Sequence, residues 1–361
     1  MKTRFQTLLL LLPAVAFAAD PDTLILNDGE KLIGHFERSN GSTVTFKSDF
    51  LGEVNVDWSK IKELHASEPF VVVGKNVKLG RRAAEANLPK GAVDMTNQTI
   101  TVEVTQIPVA EAAHVIDQPT FERDIERSPG FFQEWNGGIT AGASIVEATQ
   151  QSRTFTGSIN LTRVVPQESW INARYRTLLN FSASTGFLDQ PGTPRVKTDI
   201  YHIDAEQDQY FRGKDLYGFV QTDFDHNYSQ GLRLQSNYGG GLGYTVIKKN
   251  NESLDVKGSM IYSRQSFLND VPGNNLFGST FAENFLYKTK HGVQFLESIT
   301  ATPAWNNLQA YGGAATASVA VPLYKRLTYT TGLTDTFLNN PAPGFRKNSF
   351  QFTTGLTYSL R

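Results

Sequence analysis

The chain has 361 residues, with 34 basic and 35 acidic side chains and no cysteine. That near balance denies the basic face that phosphate contacts need, so nucleic acid is not an expected partner. The missing thiols exclude a disulfide framework, a thiolate metal site and a cysteine nucleophile, and the length leaves room for two domains or more.

Residues 1–19, MKTRFQTLLLLLPAVAFAA, set a short basic head (Lys2, Arg4) before an apolar run from Leu8 to Phe17 and a small-x-small exit, Ala16-Phe17-Ala18. This is the layout of a secretory signal peptide cut near Ala18 or Ala19. A spanning helix needs about 20 apolar residues, and this run is about half that. Loss of Lys2 and Arg4 leaves 32 basic against 35 acidic residues in the mature chain. No later apolar segment is long enough for a spanning helix, so membrane insertion would require a closed barrel.

From Asp22 to His65, short alternating runs are broken by Asn27-Asp28-Gly29 and Asn40-Gly41, residues that tolerate positive φ in hairpin turns. The pattern predicts a small SH3-like or Sm-like β-unit over 20–68. VDWSKIKEL at Val56–Leu64 is echoed by PVAEAAHVI at Pro108–Ile116, and KLIG at Lys31–Gly34 by VKLG at Val77–Gly80. The echoes predict a second, degenerate copy over 69–116. Sm-like folds often bind RNA, but an exported acidic chain favours a β-module that packs against an envelope partner. The charged, proline-broken segment 117–134 reads as a linker or short helix.

Beyond Trp135 the period becomes two. In SFQFTTGLTYSL, Phe350, Phe352, Leu356 and Tyr358 share one face, and Ser349, Gln351, Thr353 and Thr357 the other. Twelve such runs fall near 135–146, 152–164, 169–182, 196–211, 215–226, 232–247, 253–265, 277–288, 292–304, 310–322, 326–338 and 348–360. Every second connection reads as short and polar: PQES at 166–169, RGKD at 212–215, KKNNES at 248–253, KTKHG at 288–292 and YKR at 324–326. Three long loops, 184–195, 268–275 and 339–347, all fall on the other side. Sorting of loops by length is the mark of an outer-membrane barrel, with short periplasmic turns and longer external loops. NYGGGLGYTV at Asn237–Val246 has Tyr244 where a dinucleotide fingerprint needs its third glycine. It reads as a strand whose inward Gly239, Gly241 and Gly243 leave room for bulky neighbours.

The parity opposite the apolar one carries charge. The lumen-lining candidates are Arg174 and Arg176 on the third run, His202, Asp204, Glu206 and Asp208 on the fourth, and Asp223 and Asp225 on the fifth. Arg233 on the sixth and Asp255 and Lys257 on the seventh complete the set. Centred turns would place Arg174 opposite Asp204 and Asp225 opposite Arg233, pairings that stabilise neighbouring strands. Such a lumen is either filled by a polar network or kept open as a selective pore, and the filled or narrow form is preferred. Glu283 and Glu297 share parity with phenylalanines, which predicts a bulge, a misplaced strand end or an inward aromatic there. A lipase would need a serine–histidine pair. His226 and Ser229 stand three apart, which in a strand puts them on opposite faces. No histidine–carboxylate spacing suits a metal, and no cofactor is expected.

WNGGITAGAS at Trp135–Ser144 and FDHNYSQGLRLQSNYGGGLGYTVIKKNNESLDVKGSMIY at Phe224–Tyr262 resemble family 481 of the domains of unknown function, which includes salt-induced outer-membrane proteins. The likeness covers about 135–361, and the N-terminal units look like the small β-domain that some members carry. The chain departs from the family at Ile145-Val146-Glu147, where many members show Gly-Asn-Ser or Gly-Asn-Thr, and at its last residues, Tyr358-Ser359-Leu360-Arg361, which lack a terminal aromatic. The resemblance implies fold and location and supplies no catalytic residue.

The expectation is an all-β chain, with one or two small SH3/Sm-like β-units before a twelve-stranded antiparallel transmembrane barrel over 135–361. Its expected role is non-enzymatic (structural, stress-related or narrow-pore), with a solute channel and a lipid-modifying enzyme as alternatives. Expected partners are outer-membrane lipid, the barrel-assembly machinery during biogenesis, and a periplasmic envelope component met through residues 20–116.

Overall fold

The computed structural model describes residues 21–77, 87–126, 130–147, 151–167, 171–189, 192, 194–211, 215–249, 251–269 and 271–360, so the predicted signal peptide lies outside them. The chain forms two compact units, Met1–Arg127 and Ser128–Arg361.

The first unit is a nine-stranded antiparallel sheet: β1 (Asp22–Leu26), β2 (Lys31–Ser39), β3 (Thr43–Ser48), β4 (Gly52–Asp57), β5 (Ile61–Gly74), β6 (Lys90–Thr96), β7 (Thr99–Val102), β8 (Thr105–Pro108) and β9 (Ala112–Asp117). The sheet curls until β9 pairs with both β2 and β5. The repeat read from Val56–Leu64 and Pro108–Ile116 has a structural counterpart. Each segment makes a 3₁₀ turn, Trp58–Lys60 and Val109–Glu111, and then enters a strand. Gln98 ties the copies together, donating from Nε2 to the carbonyls of Trp58 (2.8 Å) and Ile61 (3.2 Å). Of the second echo, Lys78–Gly80 lie outside the described residues.

The boundary expected at 68/69 falls inside β5, and the two copies share one core in which Leu24, Phe46, Trp58 and Leu64 join Phe70, Val93, Met95, Ile100 and Val115. β5 is long because FVVVG continues the strand with apolar residues that this joint core takes up. The expected linker is divided as well. Gln118–Glu126 continues the first unit as a helical turn that buries Phe121 and Ile125. Residues 130–135 instead lie against the second unit, where Arg163 donates to the carbonyls of Gln133 (2.9 Å) and Gly130 (3.2 Å).

The second unit is a closed antiparallel barrel of twelve strands. They are β10 (Asn136–Glu147), β11 (Gln151–Val165), β12 (Tyr175–Asp189), β13 (Val196–Tyr210), β14 (Leu216–Asn227) and β15 (Leu232–Lys249). The other half comprises β16 (Glu252–Phe267), β17 (Asn274–Lys288), β18 (Gln294–Thr302), β19 (Gly312–Tyr324), β20 (Leu327–Leu338) and β21 (Asn348–Ser359). β10 closes on β21 through four registered pairs, Gly138↔Ser359 to Ala141↔Leu356. No helix among the described residues is long and apolar enough to cross a membrane. Apolar side chains alternate outward, Phe281, Leu333, Phe350 and Phe352 among them, and remain exposed as a lipid-facing wall requires.

Two expectations about the barrel are corrected. The third strand runs over 175–189 rather than 169–182, because Ser182, Ser184 and Gly186 keep the inward parity while Thr185 and Phe187 keep the outward one. The connection before it is therefore long, 166–174, although it belongs to the side expected to carry only short turns. At the end where β10 begins and β21 ends, here the near end, the other connections stay short, while 303–311 and 339–347 lengthen the far end.

Candidate functional site: a cross-braced and capped lumen

The charged residues cluster on one wall of the lumen, from β12 to β16. Near the near end, Arg176 of β12 meets Asp208 of β13 at 2.6 Å and Asp255 of β16 at 2.9 Å. The second contact passes three intervening strands, so it is a brace through the interior along this charged wall. Asp208 is fully buried, and Thr245 donates to the other oxygen of Asp255 at 2.6 Å. The guanidinium lies 5.2 Å from the Tyr217 ring centre and 5.9 Å from that of Tyr210, an arrangement that favours a cation. Tyr217 lies flat because Gly243 is beneath it. A Cβ there would come within 2.3 Å of the phenol ring. The inward glycines of β15 thus leave room for a bulky neighbour, as their parity predicts.

One step toward the far end, Lys257 of β16 contacts both Glu206 oxygens of β13 at 2.7 Å, a second brace past two strands. Next comes an acidic group around His202, whose Nδ1 lies 2.6 Å from Asp225 and Nε2 3.1 Å from Asp204. Asn180 donates to Asp204 at 2.9 Å and Asn237 to Asp223 at 2.5 Å, so each carboxylate of the group has a partner. The opposite wall carries hydroxyls instead, as in Thr140–Thr357 (2.8 Å) and Thr330–Thr357 (2.7 Å).

The far mouth is covered. Leu232, Phe267, Leu338 and Ala342 form a buried apolar cluster, with Val271 and Phe345 packed against it. Gln230, in the turn between β14 and β15, donates to the carbonyls of Thr336 (3.0 Å) and Lys347 (2.7 Å), which belong to β20 and the loop before β21 on the opposite side of the ring. Gly231 is required at this crossing. Its φ is +66°, and a Cβ would lie 2.7 Å from both Ala342 and Phe345.

Of the eleven candidates, nine line the lumen: Arg176, His202, Asp204, Glu206, Asp208, Asp223, Asp225, Asp255 and Lys257. The other two stand outside the regular strand ladder. Arg174 precedes β12 and stays in the near-end connection, where its carbonyl accepts from Tyr210 N at 2.9 Å and Gln209 Nε2 at 2.8 Å. Arg233 is the extra residue of a bulge in β15, and its carbonyl meets His226 Nδ1 at 2.8 Å. The pairings follow suit: Asp204 faces Asn180, Arg176 faces Asp208, and Asp225 faces Gln235. Tyr217, Tyr210 and the residues of the cap escaped sequence reading, since nothing local marks a contact across a ring.

Glu283 and Glu297 also correct an expectation. The register through β17 and β18 is regular, with Glu283↔Ile299 and Phe285↔Glu297, so both carboxylates face outward beside the phenylalanines. His226 also faces outward, with the Tyr201 ring centre 5.7 Å away and tilted by 36°, and among the described residues no hydrogen bond joins it to Ser229. No group of three or more potential metal ligands is assembled among the described residues.

A family model described as "Protein of unknown function, DUF481" matches residues 139–360, the barrel almost strand for strand. The chain belongs to the DUF481 family. No curated protein matches it in sequence. Among solved structures it is similar to the β-domain of the Bordetella autotransporter BrkA, with 12% identity over 62% of this chain and 97% of that one, at a TM-score of 0.32. The translocator domain of the autotransporter NalP from Neisseria meningitidis shares 9% identity over 62% of this chain and 86% of that one, TM-score 0.31. OccK11 from Pseudomonas aeruginosa shares 8% over 63% and 94%, TM-score 0.25. At such values the fold assignment rests on the closed ring of strands and its apolar exterior, the form of outer-membrane proteins.

Proposed function

We propose that this member of the family is a non-enzymatic outer-membrane barrel whose lumen is braced shut, a structural envelope protein with at most a narrow polar path. The observation that carries the reading is the Arg176–Asp255 contact, which cuts a chord through the lumen between strands four apart, together with the apolar cap on the far mouth. An open porin keeps its interior for water, whereas here cations and carboxylates from strands up to four apart meet inside the ring at contact distance. In this reading the near end is periplasmic, and the β-unit before the barrel works in the periplasm as a docking module for an envelope component. Outer-membrane lipid surrounds the barrel, and the assembly machinery meets it during insertion.

The test is conductance in planar bilayers. The full chain is expected to show little or no unit conductance, and a chain with residues 340–346 replaced by a short glycine–serine turn to remain narrow because the braces persist. Removal of the braces as well, by Arg176→Ala with Lys257→Ala, should yield defined channel openings. Large openings in the unmodified chain would overturn the proposal in favour of a solute channel.

A further inference from the structure

The outer wall carries unpartnered charge within its apolar band on β17 and β18. Elsewhere the chain covers such a group itself: Arg163 faces outward from β11, yet it is buried and bonded to the carbonyls of Gln133 and Gly130. Glu297 has no such cover. It is the fourth residue of β18, exposed between the outward Phe295 and Ile299, and among the described residues no hydrogen bond or ion pair reaches it. A carboxylate facing hydrocarbon is costly unless something cationic meets it.

The wall beside Glu297 is hollow. Cross-strand pairing sets Phe285, Glu297, Ala317, Leu333 and Phe352 in one row, and the row sinks at Ala317. A cleft of about 370 Å³ opens there, mostly apolar, with Glu297 at its side as its one charged lining residue. Tyr287 and Phe295, their ring centres 6.3 Å apart, stand just toward the near end, where a girdle of aromatics meets the head groups. Beyond them the turns that flank the cleft are basic, with Lys290 and His291 after β17 and Lys325 and Arg326 after β19, all exposed. Apolar hollow and carboxylate stand side by side, and the basic rim lies beyond them toward the near-end surface.

We propose that this cleft seats one phospholipid with a primary-amine head group, drawn from the leaflet at the near end. An acyl chain fills the hollow over Ala317, the phosphate meets the basic turns, and the ammonium turns back to donate to Glu297. Charge complementarity selects this occupant. A choline head group has no N–H to donate, and an anionic lipid such as phosphatidylglycerol brings no cation to the carboxylate. A second copy of the chain seated by two-fold symmetry would set like charges against each other. The site rests on the reading of the chain as an outer-membrane barrel with a periplasmic near end.

The experiment is native mass spectrometry of the full chain released from nanodiscs of equal parts phosphatidylethanolamine, phosphatidylglycerol and phosphatidylcholine. The expected result is one retained phosphatidylethanolamine, preferred about tenfold, the value of one charge-assisted hydrogen bond. Glu297→Gln should remove the preference and Ala317→Phe the retention of any lipid. Equal retention of the three lipids, a Glu297→Gln variant that still prefers phosphatidylethanolamine, or a lipid-free dimer would overturn the site. Boiled and unboiled samples on a gel separate the two levels. A chain that does not shift on boiling fails the barrel reading itself, whereas a shifting chain without lipid preference fails only the lipid site.

Discussion

The two units use the same alternation of side chains and turn it inside out. In the first, the inward residues are Leu24, Phe46, Leu64, Met95 and Ile100, all fully buried, and polar groups face out. In the barrel the inward face carries the charges and hydroxyls, and Phe281, Phe350 and Phe352 face out at 59%, 66% and 63% exposure. Burial in the first unit draws its stability from apolar area removed from water. Burial in the barrel has to be satisfied group by group, because a polar side chain away from water costs free energy unless it is paired. The first kind of core tolerates approximate fit; the second fails when a single partner is lost.

The largest effect is expected from Arg176→Ala. It strands fully buried Asp208 together with Asp255, and the expected loss of barrel stability is about 3–5 kcal/mol. Urea unfolding from lipid vesicles measures it. The triple change Arg176→Met, Asp208→Leu, Asp255→Leu removes every charge of the brace and is expected to restore most of the loss. If it does not, the brace acts through more than pairing.

Next comes the apolar side. Leu64→Ala is expected to cost about 2–5 kcal/mol in the first unit, with the spread set by how far the cavity collapses. Hydrogen exchange should report the loss in β5 and leave the barrel strands unmoved. Gly243→Leu probes packing inside the lumen. Its side chain collides with Tyr217 and displaces the ring that supports Arg176, at an expected cost of about 1–3 kcal/mol.

The smallest effect is a titration. Burial lowers the affinity of the His114 imidazole for its proton, an effect that the Ser39 backbone hydrogen bond opposes only in part. The folded unit therefore holds His114 neutral below the pH at which the unfolded chain protonates it. Its stabilising share is complete above about pH 6.5 and declines as pH falls from there toward the lowered folded value. Protection of the amides of 112–117, taken relative to intrinsic exchange at each pH, should fall between pH 7.5 and 5, and His114→Gln should flatten that response.

The local parts of this fold were legible in the sequence. Period-two alternation located all twelve barrel strands and nine of the eleven lumen candidates, since parity depends only on near neighbours. The third strand began six residues late, an even shift, so its faces stayed correct while its partners changed from Arg174–Asp204 to Asn180–Asp204. The bulge at Arg233 was invisible because His226 satisfies its carbonyl through a side chain rather than a ladder bond. Contacts across the ring, such as Arg176–Asp255 and Gln230–Lys347, depend on closure and register summed over several strands, which no local pattern encodes.

One junction gives these contacts a further meaning. The β10–β21 seam holds four registered pairs, whereas β11 and β12 share fifteen. A ring opens at its weakest joint, and an opened joint would offer two bare strand edges to the membrane. The Gln230 bonds to Thr336 and Lys347 tie the strands beside that joint to the wall facing it. The far-end cover thus works like the tie-beam of an arch, bearing the outward thrust that the short seam alone would have to resist.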